Sequence, residues 1–413
     1  MEQATAKSIV AELAREDVTL TLQELQAAHH ARYDLGPGYP QLPVPEYIQR
    51  LYRDDTIDAL SLLFAPQWSP KEQEHVDADL ERAVRRFLGI PAAVEPPVRA
   101  TFSGSVALDR VITGIAQYGS SASTRRMVDF ITTTPCIDVI PLFLSERGNV
   151  RASFAASQRD GMPGALDVHA IMAAIELCAN KRNPRLAVLL SSPENPTGAV
   201  WSAEDLALIA TVCKEVNAVL VVDHCFAVAG VHAPDELPRV WDLPGGDLDW
   251  IAIWDTGKTF GLNEDKLGFV VASNDDMLKL VDSAITVTQF GVARRQKLFF
   301  GELLTRAVYF RHTDALRTTC RANLALAYEL APDMLTLPPA AGSLLMLDLT
   351  TVDMADQDAR RRLLNDGVGV VAGSAFFHTD WRPENFIRLA LARESAYFAA
   401  GFEHLLATLR ASV

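Results

Sequence analysis

Lys258 closes the segment Asp255-Thr256-Gly257-Lys258, directly after the apolar run Ile251 to Trp254. An amine at the end of a buried strand can be desolvated enough to lose its proton and attack a carbonyl. Two further strand-like runs end in polar residues that reach toward the same crevice. Leu186 to Leu190 leads into Pro193-Glu194-Asn195-Pro196-Thr197-Gly198, and Ala218 to Val222 leads into Asp223-His224. A fourth group, Ser103-Gly104-Ser105, opens a run of helical period and offers backbone N–H groups and the positive end of a helix to an anion. An amine for a Schiff base, a carboxylate to keep a ring nitrogen protonated, an amide for a phenolic oxygen and a phosphate cradle are together what pyridoxal phosphate requires.

Each residue also has a plainer local role. A lysine after a strand is ordinarily solvated. Asp223 suits a helix N-cap or a turn, Asn195 suits the turn of Asn-Pro-Thr-Gly, and Ser103 suits simple capping. His224 could abut a cofactor ring or be a packed or solvated histidine.

The elements that must position these groups read as an α/β protein. The three strand-like runs are continuously apolar rather than alternating, which suits a sheet buried on both faces. Ser202 to Val216 lies between the first two of these runs in the chain, Leu186 to Leu190 and Ala218 to Val222, opens with a capping-box-like Ser-Ala-Glu-Asp, and keeps Leu206, Ile209 and Val212 on one face. This is a βαβ unit, and ligands bind at the carboxyl edge of such open sheets. A helix with buried Leu80, Val84, Phe87 and Leu88 ends at Gly89, and another continues from Ser105 through Val106, Val111, Ile112 and Ile115. From about Thr305 the texture changes, with strand-like runs at Leu344 to Leu349, Val368 to Val371 and Phe386 to Leu391. Leu35-Gly36-Pro37-Gly38-Tyr39-Pro40 is a rigid irregular segment suited to covering a cleft.

Several segments, in order along nearly the whole chain, resemble the fold type I pyridoxal phosphate enzymes of the class I/II aminotransferase family. They are Phe102-Ser103-Gly104-Ser105 with Ala107-Leu108, Pro193 to Gly198, Val222-Asp223, Gly257-Lys258-Thr259-Phe260-Gly261 with Lys266-Leu267-Gly268, Gly342-Ser343, Gly373-Ser374-Ala375-Phe376, and Ile387-Arg388-Leu389. The resemblance implies that Lys258 is the internal-aldimine lysine and proton shuttle, Asp223 the ring-nitrogen partner and Asn195 the phenolic-oxygen donor. It places Ser103, Gly104, Ser105, Thr256 and Lys266 around the phosphate, Phe226 beside the cofactor, and Arg388 on the substrate carboxylate, with Gly38 and Asn195 also lining the substrate site. Four positions depart from the family pattern. Phe226 stands where a tyrosine usually donates to the phenolic oxygen, Ile137 where an aromatic usually stacks on the ring, Lys266 where many members have arginine, and Leu63-Phe64 where a partner subunit often contributes a tyrosine.

The implied architecture is a large doubly wound, mainly parallel sheet domain over residues 60–308, and a smaller α/β domain from 1–59 and 309–413 whose N-terminal segment covers the cleft. The implied activity is that of an aminotransferase acting on an α-amino acid through internal aldimine, quinonoid and ketimine. The alternative is a non-transaminating enzyme on the same cofactor: an elimination or replacement lyase, a decarboxylase or an oxygen-dependent oxidative deaminase. A homodimer is the family expectation.

Composition bounds these possibilities. With 413 residues and 49% hydrophobic content, the chain can bury a large core. Its 38 Lys and Arg against 52 Asp and Glu give a net charge of −14, unsuited to nucleic acid or anionic membranes. A ligand sensor of this fold would need an attached DNA-binding module, and the N-terminal residues are too few and too acidic for one. Cys136, Cys178, Cys213, Cys225 and Cys320 are scattered without CxxC or metal-ligand spacing, as reduced and mostly core thiols are. No run is long enough to span a membrane and Met1 to Leu20 lacks a signal-peptide core, the pattern of a soluble cytoplasmic protein.

Overall fold

The computed structural model describes residues 22–23, 25–58, 70–117, 127–156, 158–159, 162–163, 166–179, 185–233, 236–243, 247–337, 341–378 and 382–411. The expected boundary at Leu60, the Leu63-Phe64 position and the segment Met1 to Leu20 lie outside these residues.

Seven strands form the main sheet: β1 (Val98–Thr101), β2 (Val128–Thr134), β3 (Val150–Ala156), β4 (Arg185–Ser191), β5 (Val219–Asp223), β6 (Trp250–Asp255) and β7 (Gly268–Ala272). Their spatial order is β1-β7-β6-β5-β4-β2-β3. All run parallel except β7, which is antiparallel to both β6 and β1. The apolar runs of β4, β5 and β6 are continuous because both faces are covered. Alternate residues Leu186, Val188, Leu220, Val222 and Trp254 face one helical layer, while Leu189, Val219, Val221, Ile251 and Ile253 face the other.

Helices supply the two outer layers. On the first face lie α1 (Pro70–Phe87), α3 (Val168–Ala179), α4 (Ala203–Glu215) and α6 (Arg294–Tyr309); on the second lie α2 (Gly104–Gln117) and α5 (Asp275–Gln289). The capping signature before α4 is realised, with Ser202 Oγ accepting from the Asp205 N–H at 3.0 Å. Past α1, Gly89 takes φ +66°, the left-handed angle that lets the chain turn away.

The C-terminal region builds its own three-stranded sheet, β8 (Leu344–Asp348), β10 (Phe386–Ala390) and β9 (Val371–Ala372), all antiparallel and packed on α7 (His312–Leu330), α8 (Asp356–Asn365) and α9 (Ser395–Arg410). The expected single strand Val368 to Val371 is instead two short pieces with different partners. Val368–Gly369 pairs in parallel with Tyr33–Asp34, whereas Val371–Ala372 pairs with β10. At Gly369 the chain passes so close to Ala28 that a Cβ would meet that residue's Cβ at 2.5 Å. The N-terminal segment is thereby stitched to the C-terminal sheet, with the Leu35 N–H bonded to Gly369 O and the Ala390 N–H to Leu35 O.

All five cysteines are buried and unbridged. Among the described residues no helix is long and apolar enough to cross a membrane.

Candidate active site

The carboxyl ends of β1, β4, β5 and β6 bring the chemically capable residues to one edge. Lys258 lies in the helical turn Gly257–Phe260 that follows β6, and its Nζ stands 5.6 Å from the centroid of the Phe226 ring. Burial pushes the Lys258 amine below its usual range, opposed by the carboxylate of Asp255. This favours the neutral nucleophile. Asp223 ends β5, and burial raises its carboxyl, opposed by the Cys225 N–H that donates to Oδ1 at 2.9 Å and by the charge of Lys258. Asp223 is therefore also a turn residue, so its structural and chemical capacities coexist. Phe226 follows in the same turn and offers the cleft an apolar ring with no donor.

Asn195 follows β4 and is tied across the cleft. Its Oδ1 accepts from Arg388 Nη1 at 2.9 Å, while Arg388 Nη2 donates to Gly36 O at 3.0 Å. The bond commits the oxygen of Asn195 to the guanidinium and leaves its NH2 as the donor end. Arg388 projects from β10 with its guanidinium carbon 4.9 Å above the Phe376 ring, and is 4% exposed. Three parts of the chain thus meet at this arginine: the β4 loop, the C-terminal sheet and the covering segment. Gly38 in that segment lies over Phe226, where a Cβ would stand 3.5 Å from its Cζ.

The residues expected around an anion have these partners. Gly104 begins α2, and Ser103 caps it, its Oγ accepting from the Val106 N–H at 3.2 Å. Ser105 is exposed on the first turn. Thr256 is fully buried and its hydroxyl is spent on Leu267, accepting from that N–H at 3.0 Å and donating to that carbonyl at 3.2 Å, so it closes the β6–β7 connection rather than facing the cradle. Lys266 Nζ donates to Asn263 Oδ1 at 2.9 Å. Gly268 allows β7 to pass directly against the start of α2, since a Cβ there would overlap the carbonyl carbon of Ser103.

Two other positions, His224 and Ile137, are engaged in packing. His224 is fully buried, with Nδ1 2.8 Å from Ser192 O and Nε2 3.2 Å from the Val240 N–H. These partners set the Nδ1–H tautomer, and burial lowers the imidazole to about 4, so it is a neutral structural histidine. Ile137 is partly buried and packs into the core on the α2 side of the sheet.

Three buried polar residues did not stand out in the sequence. Asp255 accepts from the Gly104 N–H at 2.6 Å and from the Gly257 N–H at 2.7 Å. Arg393 donates to the carbonyls of Asp34, Pro37 and Tyr39 at 2.9, 2.7 and 2.9 Å, fastening the covering segment. Glu194 sits among Thr133 and Thr197, and burial raises its carboxyl to about 8. In sequence, each resembles an ordinary turn or loop charge. Only the unusual accumulation of polar residues at strand ends hinted at them. A groove of about 930 Å³ between α1 and α6 shares no residue with this cleft.

A seven-stranded doubly wound sheet carrying a lysine past its sixth strand, with an aspartate and an asparagine on neighbouring strand ends, defines a fold type I pyridoxal phosphate architecture. Residues 152–399 match the family model for aminotransferase class I and II, and the chain belongs to that family, whose members depend on pyridoxal phosphate. It is 27% identical over 198 residues to the probable N-succinyldiaminopimelate aminotransferase DapC of Mycobacterium tuberculosis, covering 47% of this chain and 44% of that protein. To human kynurenine–oxoglutarate transaminase 1 it is 23% identical over 256 residues, covering 56% and 60%. The chain spans about half the length of the curated relatives it matches. A solved structure of N-succinyldiaminopimelate aminotransferase from Mycobacterium tuberculosis superposes with a TM-score of 0.75 at 20% identity, covering 94% of this chain and 97% of the other. That likeness is one of fold.

The residues fit the cofactor at its ring end, where an amine, a carboxylate and an amide donor converge. At the phosphate end, the helix start and the amides of Gly104 and Gly257 would suit an anion, but both amides already donate to the Asp255 carboxylate. A Cβ on Gly257 would lie 2.8 Å from Asp255 Oδ1 and one on Gly104 3.0 Å from Asp255 Cβ, so glycine at both positions makes room for the Asp255 side chain.

Proposed function

We propose that this chain transfers the amino group of an α-amino acid to a keto acid, with pyridoxal phosphate held at Lys258. The observation that carries this reading is the meeting of Lys258, Asp223, Asn195 and Arg388 at one sheet edge, with Arg388 and Asn195 bonded at 2.9 Å. When bound, the cofactor supplies an aldehyde that combines with amines and a ring that accepts electron density.

The chain's own residues do the rest. Lys258, its amine kept toward neutrality by burial, would hold the aldehyde as nucleophile and would accept and return the proton of the substrate's α-carbon as base. Asp223 holds a proton on the ring nitrogen by its negative charge, and Asn195 donates through its NH2. Arg388 orients the substrate by its carboxylate through the planar guanidinium. The segment from Gly36 to Tyr39, fastened by Arg393, excludes water from above, and Phe226 leaves the phenolic oxygen without a tyrosine donor. Ser103, Gly104, Ser105 and Lys266 surround the anion seat; the Thr256 hydroxyl serves the neighbouring strand pairing.

We also propose two domains, residues 60–308 and the remainder, and a homodimer. Support for the dimer comes from Phe102, Val287 and Phe290, which are 45%, 88% and 91% exposed. The Phe102 N–H bonds Gln289, which adjoins Phe290, so the first and last of these belong to one apolar surface.

The test mixes cofactor-loaded enzyme with a panel of L-amino acids and no keto acid, following the cofactor by absorption and the products by mass spectrometry. One keto acid per site, with conversion to the aminated cofactor, is expected. Multiple turnovers with the aldehyde form retained would instead establish elimination, decarboxylation or oxidation.

A further inference from the structure

Asp255 is 3% exposed, and both of its carboxylate oxygens are engaged by backbone amides at the anion seat. Oδ2 accepts from Gly104 N–H at the head of α2 at 2.6 Å, and Oδ1 accepts from Gly257 N–H at 2.7 Å. The seat is floored by β7, which approaches Ser103 and Gly104 so closely that Gly268 has no room for a Cβ. These are the donors that a phosphate group would take, because helix-start amides and the dipole favour an anion there. A carboxylate already satisfies them. Lys266, the cation the family pattern offers on that edge, bonds Asn263 at 2.9 Å and lacks the guanidinium fork that would help the seat hold two anions.

We propose that Asp255 is a resident anion in the phosphate seat and a determinant of cofactor specificity, penalising a phosphate that enters there. Two acceptors cannot share the same two amides. An incoming phosphate must either displace the carboxylate or lie beside it as a like charge, and in both cases the amides contribute little net binding. The chain then holds its cofactor chiefly by the aldehyde and ring, through Lys258, Asn195 and Asp223, and discriminates weakly between pyridoxal phosphate and phosphate-free pyridoxal. This inference rests on the proposed attachment of the cofactor at Lys258.

The experiment titrates the full cofactor-free chain with pyridoxal phosphate and, separately, with pyridoxal. It reads the dissociation constants from the absorbance of the aldehyde–lysine adduct and identifies the lysine by borohydride trapping and peptide mass spectrometry. Wild type is compared with Asp255→Ser, which empties the seat, and with Asp255→Asn, which keeps its shape and removes its charge. Removing a charge so near a phosphate should improve affinity for pyridoxal phosphate by about tenfold or more in either variant. Loss of the Asp255 charge beside Lys258 acts on both aldehydes alike, so the deciding readout is the ratio of the two affinities, which should shift toward pyridoxal phosphate by about tenfold or more. An unchanged preference in both variants, with Lys258 trapped as expected, would overturn the role of Asp255 and leave the cofactor attachment standing. Failure of either aldehyde to trap Lys258 in all three proteins would overturn the attachment, and the inference with it.

Discussion

Lys258 and Arg388 divide the proposed chemistry, and substitutions at the two should fail differently. Lys258→Ala is expected to lose the adduct absorbance and to lower turnover by at least about a thousandfold, because one group serves as both nucleophile and base. Residual activity near wild type in a single-turnover assay would sink that role. Arg388→Lys keeps a positive charge but cannot bond Asn195, Gly36 and a carboxylate in a plane, so kcat/KM for α-amino acids should fall by roughly a hundredfold, largely through KM. Comparison with the corresponding amino acid amides checks it, since those should lose far less. Lys258, Asp223, Asn195 and Arg388 could be placed at or near apolar runs that read as strands, whereas the roles proposed for them come from the resemblance. Asp255 did not stand out, although it immediately precedes Thr256, because an aspartate after a strand is an ordinary turn residue and its two amide partners lie at Gly104 and Gly257. Thr256 looked like a phosphate ligand by position; its hydroxyl is used within the β6–β7 connection, a partner that position alone does not disclose.

Elements were read most accurately where one periodicity ran long. The runs of β4, β5 and β6 and the α4 signature located three neighbouring parallel strands of the main sheet, since burial on both faces leaves nothing but apolar residues, while β1, β2 and β3 went unread. The reversed direction of β7 could not be read, because its apolar run is the same in either direction. Val368 to Val371 looked like one strand for a similar reason: nothing in four residues announces a change of partner around Val370. The covering segment depends most on a single side chain. Arg393 is fully buried and remains cationic despite burial that lowers it to about 10. Arg393→Ala would leave several buried carbonyls without donors and should cost about 3 kcal/mol or more. Urea unfolding measures this, and limited proteolysis within residues 35–41 should accelerate in parallel. An unchanged cleavage rate would mean that the segment is held by its strand pairing alone.

At the scale of the whole molecule, stability should respond to pH from both sides through buried groups. Glu194 is raised from an ordinary 4.5 to about 8, so the folded protein holds its proton where the unfolded chain has released it. The stability this represents is complete below about 4.5 and is lost as pH rises through about 8. His224 has the opposite sign: lowered from 6.5 to about 4, it contributes fully above 6.5 and loses that contribution as pH falls to about 4. Glu194→Gln should flatten the alkaline side of the unfolding free energy without altering the acid side, as urea titrations at several pH values would reveal; an unaltered alkaline slope would assign that slope to other groups. Phe290→Asp should convert the proposed dimer to monomer in light scattering, and an unchanged mass would place the interface elsewhere. The fastening of the covering segment also sets an order of events during synthesis. Asp34 is made 359 residues before the arginine that binds its carbonyl, so a growing chain on the ribosome completes its central sheet and its lysine long before the roof can be latched. Until then the nascent cleft stands open to water and to any passing aldehyde, and the site is finished from its floor upward.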